Sequence, residues 1–213
     1  MHCSTLHFTL ALVFCVVAIA PLSAGVLYDN GPITIYDDAW PINYSIRMTD
    51  SFDLTAASHI SGFEFVPWVG GTPYYVMELL TVDWAITSTP FGAPLASGTA
   101  APISTLLSGS VYAHYWIFDS TVSGLSLSLP AGRYWLELSN ATANHNTSVY
   151  WDQNAGPSMA CTNWLVGCGG DSNAFRIEGT PVPEAGTAGM ALSEILAAIG
   201  VLRLRRRSRL RSG

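Results

Sequence analysis

A reactive site needs a nucleophile beside a base, a set of metal ligands, or paired carboxylates, and this 213-residue chain is sparing with all three. Between its ends stand three histidines, His59, His114 and His145, far apart and without a ligand partner two or four positions away. His114 has apolar neighbours and reads as a core or edge residue of a strand, whereas His145, flanked by Asn144 and Asn146, reads as a loop residue. No Gly-x-Ser-x-Gly occurs, so a serine hydrolase elbow has no local signature. Carboxylates are more plentiful. Glu64, Glu78 and Glu137 fall in strand-like runs, from which a glycoside hydrolase would have to bring two together.

Sugar binding is the other chemistry these residues suggest. Flat aromatic rings stack on sugars while neighbouring acids or amides hydrogen-bond to hydroxyls. Trp135 and Glu137 alternate with Leu136 and Leu138, so if the leucines face a core, the tryptophan and the acid share the outer face. With Trp151 and Asp152 they form the candidate sugar-binding set. Calcium would find hard oxygen ligands at Asp29-Asn30-Gly31, Asp37-Asp38, Asp50 with Asp53, and Asp152-Gln153-Asn154, but none has EF-hand spacing and turns favour these residue types anyway. No metal site is assigned, and a structural Ca²⁺ is the only cofactor entertained. Asn43, Asn140 and Asn146 each open an Asn-x-Ser/Thr sequon.

The ends of the chain carry a different kind of information. Residues 10–20 form one apolar run, the length of a signal-peptide core and short for a bilayer span. Pro21 breaks it, and Ser23, Ala24 and Gly25 supply small residues for cleavage after Ala24. At the other end Val182-Pro183-Glu184-Ala185 precedes an apolar stretch, residues 186–202, and then Arg203, Arg205, Arg206, Arg207, Arg209 and Arg211. This order of parts resembles the PEP-CTERM sorting tail, with Ala185 standing where that family usually has its second proline. The resemblance implies an exported protein held transiently in the inner membrane until an exosortase-type membrane protease acts near Val182, Pro183 and Glu184. It then implies a place at the cell surface or outside, in the extracellular matrix with its exopolysaccharide.

Physical chemistry supports the same topology. Arginines stay on the cytoplasmic side while the signal sends the rest outward. Residues 185–202 would rise roughly 27 Å as a helix, barely a bilayer core. Glu194 near the middle costs about 2.5–3.5 kcal/mol, nearly cancelling the gain of about 0.3–0.6 from each large apolar neighbour. So weak a span suits a temporary anchor. A surface amphipathic helix gripping anionic lipid is the alternative.

Residues 1–24 and 181–213 are thus set aside as targeting segments, and residues 25–180 are expected to form one domain. That domain has three arginines, no lysine and 13 of the 15 acidic residues, a net −10 that argues against nucleic acid as a partner. Its two cysteines, Cys161 and Cys168, are most simply a disulfide in an oxidising compartment, with a two-thiolate metal site as rival.

Short β-branched and aromatic runs broken by Gly, Pro, Asn and Ser predict an all-β domain. Strands are expected over 33–36, 60–67, 76–87, 111–118, 125–129, 133–138, 149–151 and 174–178. Pro130-Ala131-Gly132 is expected to join the fifth and sixth as a hairpin. The architecture expected is a single jelly-roll-like antiparallel β-sandwich with first and last strands adjacent, flanked by an N-terminal signal helix and a C-terminal hydrophobic helix. Gly62-Phe63-Glu64-Phe65, the run from Pro130 to Leu138, Tyr150-Trp151-Asp152 and Ala174-Phe175-Arg176-Ile177-Glu178-Gly179 also resemble the β-sandwich bodies fused to PEP-CTERM tails, most of which have no assigned activity. The expectation is therefore an envelope or matrix protein without catalytic activity, with a carbohydrate-binding module and a glycoside hydrolase as alternatives.

Overall fold

The computed structural model describes residues 24–34, 38–71, 75–112, 115–164 and 167–183. Residues 1–23 of the signal segment, His114, and Glu184 with everything beyond it, including the expected terminal helices and the arginine cluster, lie outside the described residues. Among the described residues no helix is long and apolar enough to cross a membrane.

The chain folds as an all-β sandwich of two antiparallel sheets. Its strands are β1 (Gly25–Asp29), β2 (Ala39–Pro41), β3 (Arg47–Leu54), β4 (Ser58–Phe65), β5 (Pro67–Gly70), β6 (Leu79–Thr87), β7 (Pro94–Ala100), β8 (Ile103–Tyr112), β9 (Tyr115–Leu129), β10 (Gly132–Ala143), β11 (Val149–Asn154), β12 (Ala160–Thr162), β13 (Cys168–Gly170), β14 (Ser172–Asn173) and β15 (Phe175–Pro181). One sheet has nine strands and runs β1-β15-β4-β9-β5-β11-β14, with β8 beside β9 and β2 beside β11. The other has six, in the order β13-β12-β3-β10-β6-β7. First and last strands pair as expected, Val26 opposite Glu178.

Alternation builds the core. On β9 Leu125, Leu127 and Leu129 turn inward while Ser126 and Ser128 stay exposed, one dry and one wet face. Ile60, Phe63, Phe65 and Ile177 from the larger sheet meet Phe52, Val82, Ile86, Leu136 and Leu138 from the smaller one. Gly124, at φ +81, sits where β9 bulges against β4 and the register jumps between Ile60 and Gly62; a side chain would be strained in that left-handed conformation.

The expected hairpin is corrected. β9 pairs with β4, β5 and β8, whereas β10 pairs with β3 and β6, so Pro130 and Ala131 carry the chain from one sheet to the other. Both strands are amphipathic, and each satisfies its ladder with partners distant in sequence. The expected strand at 111–118 is likewise split, β8 ending at Tyr112 and β9 beginning at Tyr115.

Candidate functional site

The four candidate sugar-binding residues are all buried, which corrects the expectation of an exposed face. Trp135 and Glu137 do lie on the side of β10 away from Leu136 and Leu138, but both are covered, at 6% and 5% exposure. Arg47 closes over Glu137, its Nε and Nη2 donating to Oε1 and Oε2 at 2.7 Å each, and the same guanidinium lies 5.3 Å from the centre of the Phe91 ring. That bidentate pair raises the Arg47 pKa further. Trp151 is in the main core and donates its Nε1 hydrogen to the Ala174 carbonyl at 2.9 Å. Asp152 is buried, accepting from Trp68 Nε1 at 2.9 Å and from the Thr34 amide at 3.0 Å. Of the seven tryptophans only Trp164, in the loop between the cysteines, is largely exposed. No line of tryptophans crosses a sheet face.

A polar seam occupies one edge of the sandwich. Along β3 the inward positions are Met48, Asp50, Phe52 and Leu54, so a carboxylate stands in a row of core side chains. Asp50 is completely buried. Its Oδ1 accepts from the Ser51 amide at 2.8 Å, and its Oδ2 accepts from the Asn173 amide at 2.6 Å and more weakly from Ser172 Oγ at 3.4 Å. Burial pushes its pKa up to about 7, against the pull of these hydrogen bonds and of Ser158. Around it Asn30 Nδ2 donates to the Asn173 carbonyl at 2.6 Å, and Asn154 Nδ2 to the Asn30 carbonyl at 2.8 Å. Tyr28, donating to Asn30 Oδ1 at 2.8 Å, has its pKa raised to about 12 by burial first and by Asp50 second. These bonds tie the end of β1 to β3, β11 and β14.

Above the seam is a cleft of about 400 Å³ lined by Tyr28, Asp53, Arg133, Ser158, Met159 and Gly170. Asp53 and Arg133 pair across its mouth at 2.8 Å, which lowers the Asp53 pKa. The disulfide Cys161–Cys168 joins β12 to β13 at its side, in agreement with the simplest reading of the cysteines. The donors around Asp50 are backbone amides and serine hydroxyls, a set that holds a charge or a proton and aims no imidazole at a substrate. Only the alternation of Met48, Phe52 and Leu54 around Asp50 could have signalled this site in the sequence.

The three strand-borne carboxylates considered for a hydrolase, Glu64, Glu78 and Glu137, are not brought together. Glu64 lies on the larger sheet, Glu137 on the smaller, and Glu78 precedes β6, where its amide donates to Asn144 Oδ1 at 3.0 Å. Glu64 instead neighbours Glu178 and Asp119. The pKa of Glu178 is raised by burial first and by Glu64 second. Asp119 is likewise raised, first by burial and then by Glu64. Arg176 bridges Asp29 and Glu64 at 3.0 and 3.3 Å.

The residues considered for calcium are thus drawn into ion pairs and hydrogen bonds with the protein, Asp37 lying outside the described residues, and among the described residues no group of three or more His, Cys, Asp or Glu is arranged to hold a metal. His59 Nδ1 lies 3.2 Å from Ser128 Oγ, and His145 stacks on Tyr75 at 5.1 Å.

At the junction with the tail, β15 ends at Pro181, opposite Ser58, and the Val182 amide donates to the Ala57 carbonyl at 2.7 Å. Val182 and Pro183 are exposed there. The chain matches no family model, and no curated protein emerges as a relative.

Proposed function

We propose that this is an exported envelope or extracellular-matrix protein without catalytic activity of its own, sorted through its C-terminal tail by an exosortase-type membrane protease. The observation that carries the reading is the order of parts after β15: Val182, Pro183 and Glu184, then an apolar stretch, then six arginines within nine residues, 203–211. The sandwich supports it by ending in a paired strand at Pro181, which leaves Val182 and Pro183 exposed at the surface. The disulfide supports delivery to an oxidising compartment. The inner membrane is a transient station in this reading, and exopolysaccharide is the neighbour of the delivered domain.

We read the sandwich as a jelly roll. When the eight principal strands, β1, β3, β4, β6, β7, β9, β10 and β15, are counted in chain order, the sheets read one-eight-three-six and two-seven-four-five. This order supports a reading as two Greek keys wound together, with β8 and the shorter strands added around these eight. It places both ends of the domain, β1 and β15, side by side in one sheet, next to β4.

The test is a double substitution, Pro183→Ala with Glu184→Ala, expressed in the native host. The expected outcome is accumulation of a tail-bearing precursor in the inner membrane. Unchanged mass and unchanged distribution between membrane and medium would overturn the reading.

A further inference from the structure

The three sequon asparagines converge on one cavity, Asn43 meeting the distant pair Asn140 and Asn146. Asn43, Tyr44, Ser45, Asn140, Thr142 and Asn146 line a space of about 310 Å³ between the turn before β3, the end of β10 and the 3-10 turn Asn144–Asn146, a volume in the range of small-ligand sites. No lining side chain is charged.

Two independent features mark it. Asn43 is 4% exposed, and its Oδ1 has no hydrogen-bond partner in the protein, although an orphaned buried acceptor costs about 1–3 kcal/mol. Its Nδ2 is committed to the Thr147 carbonyl at 3.3 Å. The backbone around the cavity is also strained. Six non-glycine residues have positive φ among the described residues, and five of them are Tyr44, Ser45, Asn140, His145 and Asn146. Tyr44 and Ser45, at φ 53 and 66, are the centre of a turn closed by the Ile46 amide on the Asn43 carbonyl at 3.0 Å. Asn-Gly is the sequence that favours such a turn, and a bulky tyrosine there is an outlier. Strain of this kind persists when the surroundings hold it, and it clusters at ligand sites.

The surroundings do hold it. Ile42 is clamped on both sides, its amide donating to Val149 and its carbonyl accepting from Ala141 at 3.0 and 2.9 Å. Asn140 Nδ2 donates to Asp83 at 2.9 Å, and the Thr142 and Thr81 hydroxyls meet at 2.6 Å. The reward of the strained turn is that it holds the Tyr44 side chain out, 63% exposed, at the rim of a cavity lined by amides, hydroxyls and the alanines Ala141 and Ala143.

We infer that this cavity is a binding site for a neutral polyhydroxylated ligand of the sugar type, its hydroxyls exchanging hydrogen bonds with Ser45, Asn140 and Asn146 on a floor set by the buried Asn43, while a ring face packs on Tyr44. Neutrality follows from a lining without charge, in a domain whose net −10 would repel acidic polymers.

The test is calorimetric titration of the detergent-solubilised full chain with cellohexaose, xylohexaose and mannohexaose, and with an oligoguluronate as acidic control. Saturable binding of at least one neutral member and none of the acidic one is expected. Tyr44→Gly removes the ring and relieves the left-handed strain, so the variant should melt no lower than wild type and bind about tenfold or more weakly. Asn146→Gly, at φ 49, should fold equally well and also bind more weakly. Failure of every neutral member to bind, equal binding of the oligoguluronate, or wild-type affinity in Tyr44→Gly would overturn the inference.

Discussion

Two polar clusters interrupt the apolar interior of this sandwich, and they are built on opposite terms. Around Asp50 the backbone is extended and the carboxylate is bonded on both oxygens, to Ser51, Asn173 and Ser172. Asn173 Oδ1 is left without a partner there, but its residue does not line the adjoining cleft. Around Asn43 the backbone is left-handed at Tyr44, Ser45, Asn140, His145 and Asn146, and the orphaned oxygen belongs to a residue that lines an open cavity. The first arrangement stabilises the edge of the fold. The second costs stability and leaves surface for a ligand. Polar burial therefore carries no functional meaning until its hydrogen bonds and its backbone have been accounted for.

The sharpest way to break that contrast is Asp50→Ala. It strands two amides and a hydroxyl in the interior, and unfolding in urea should show a loss of about 3–4 kcal/mol. A loss under about 1 kcal/mol would remove the seam's role as a lock.

The pH dependence should be nearly as large. The folded pKa of Asp50, about 7, lies above the ordinary carboxylate value of 3.8. The folded state therefore binds the proton more tightly, and the contribution of Asp50 to stability is fully present below pH 4 and lost as the pH rises through about 7. Denaturation of wild type at pH 5 and pH 8 should differ by roughly 3 kcal/mol more than it does in Asp50→Asn. Equal slopes for the two proteins would contradict the assignment.

Removing the disulfide with Cys161→Ser and Cys168→Ser opens a loop with a sequence separation of only 7, so the expected loss in urea is about 2 kcal/mol. The smallest effect has the opposite sign. Tyr44→Gly should gain about 1 kcal/mol in thermal unfolding, and a loss of that size would show that the turn is not strained.

The sequence makes the β class, the alternation of Leu125, Leu127 and Leu129 with serines, and the cysteine pair legible, because each depends on near neighbours. It misleads over Trp135 and Glu137. Their alternation with the leucines assigns the face correctly, but Glu137 is covered by Arg47, 90 positions away. The hairpin at Pro130 fails for a similar reason, since a tight turn looks the same whether the next strand stays in the sheet or crosses to the other. Asp50 was legible in principle as an acid in register with Met48 and Phe52. The Asn43 cavity was not, because only the fold brings its three asparagines together.

The central claim, export and sorting through the tail, is tested most directly by the intact mass of the protein recovered from its native host with and without exosortase activity. The account predicts a chain that begins near Gly25 and loses everything beyond about Glu184 only when the exosortase is active. A mature form that keeps Arg203–Arg211 in both strains would contradict it and make the protein a membrane-tethered one.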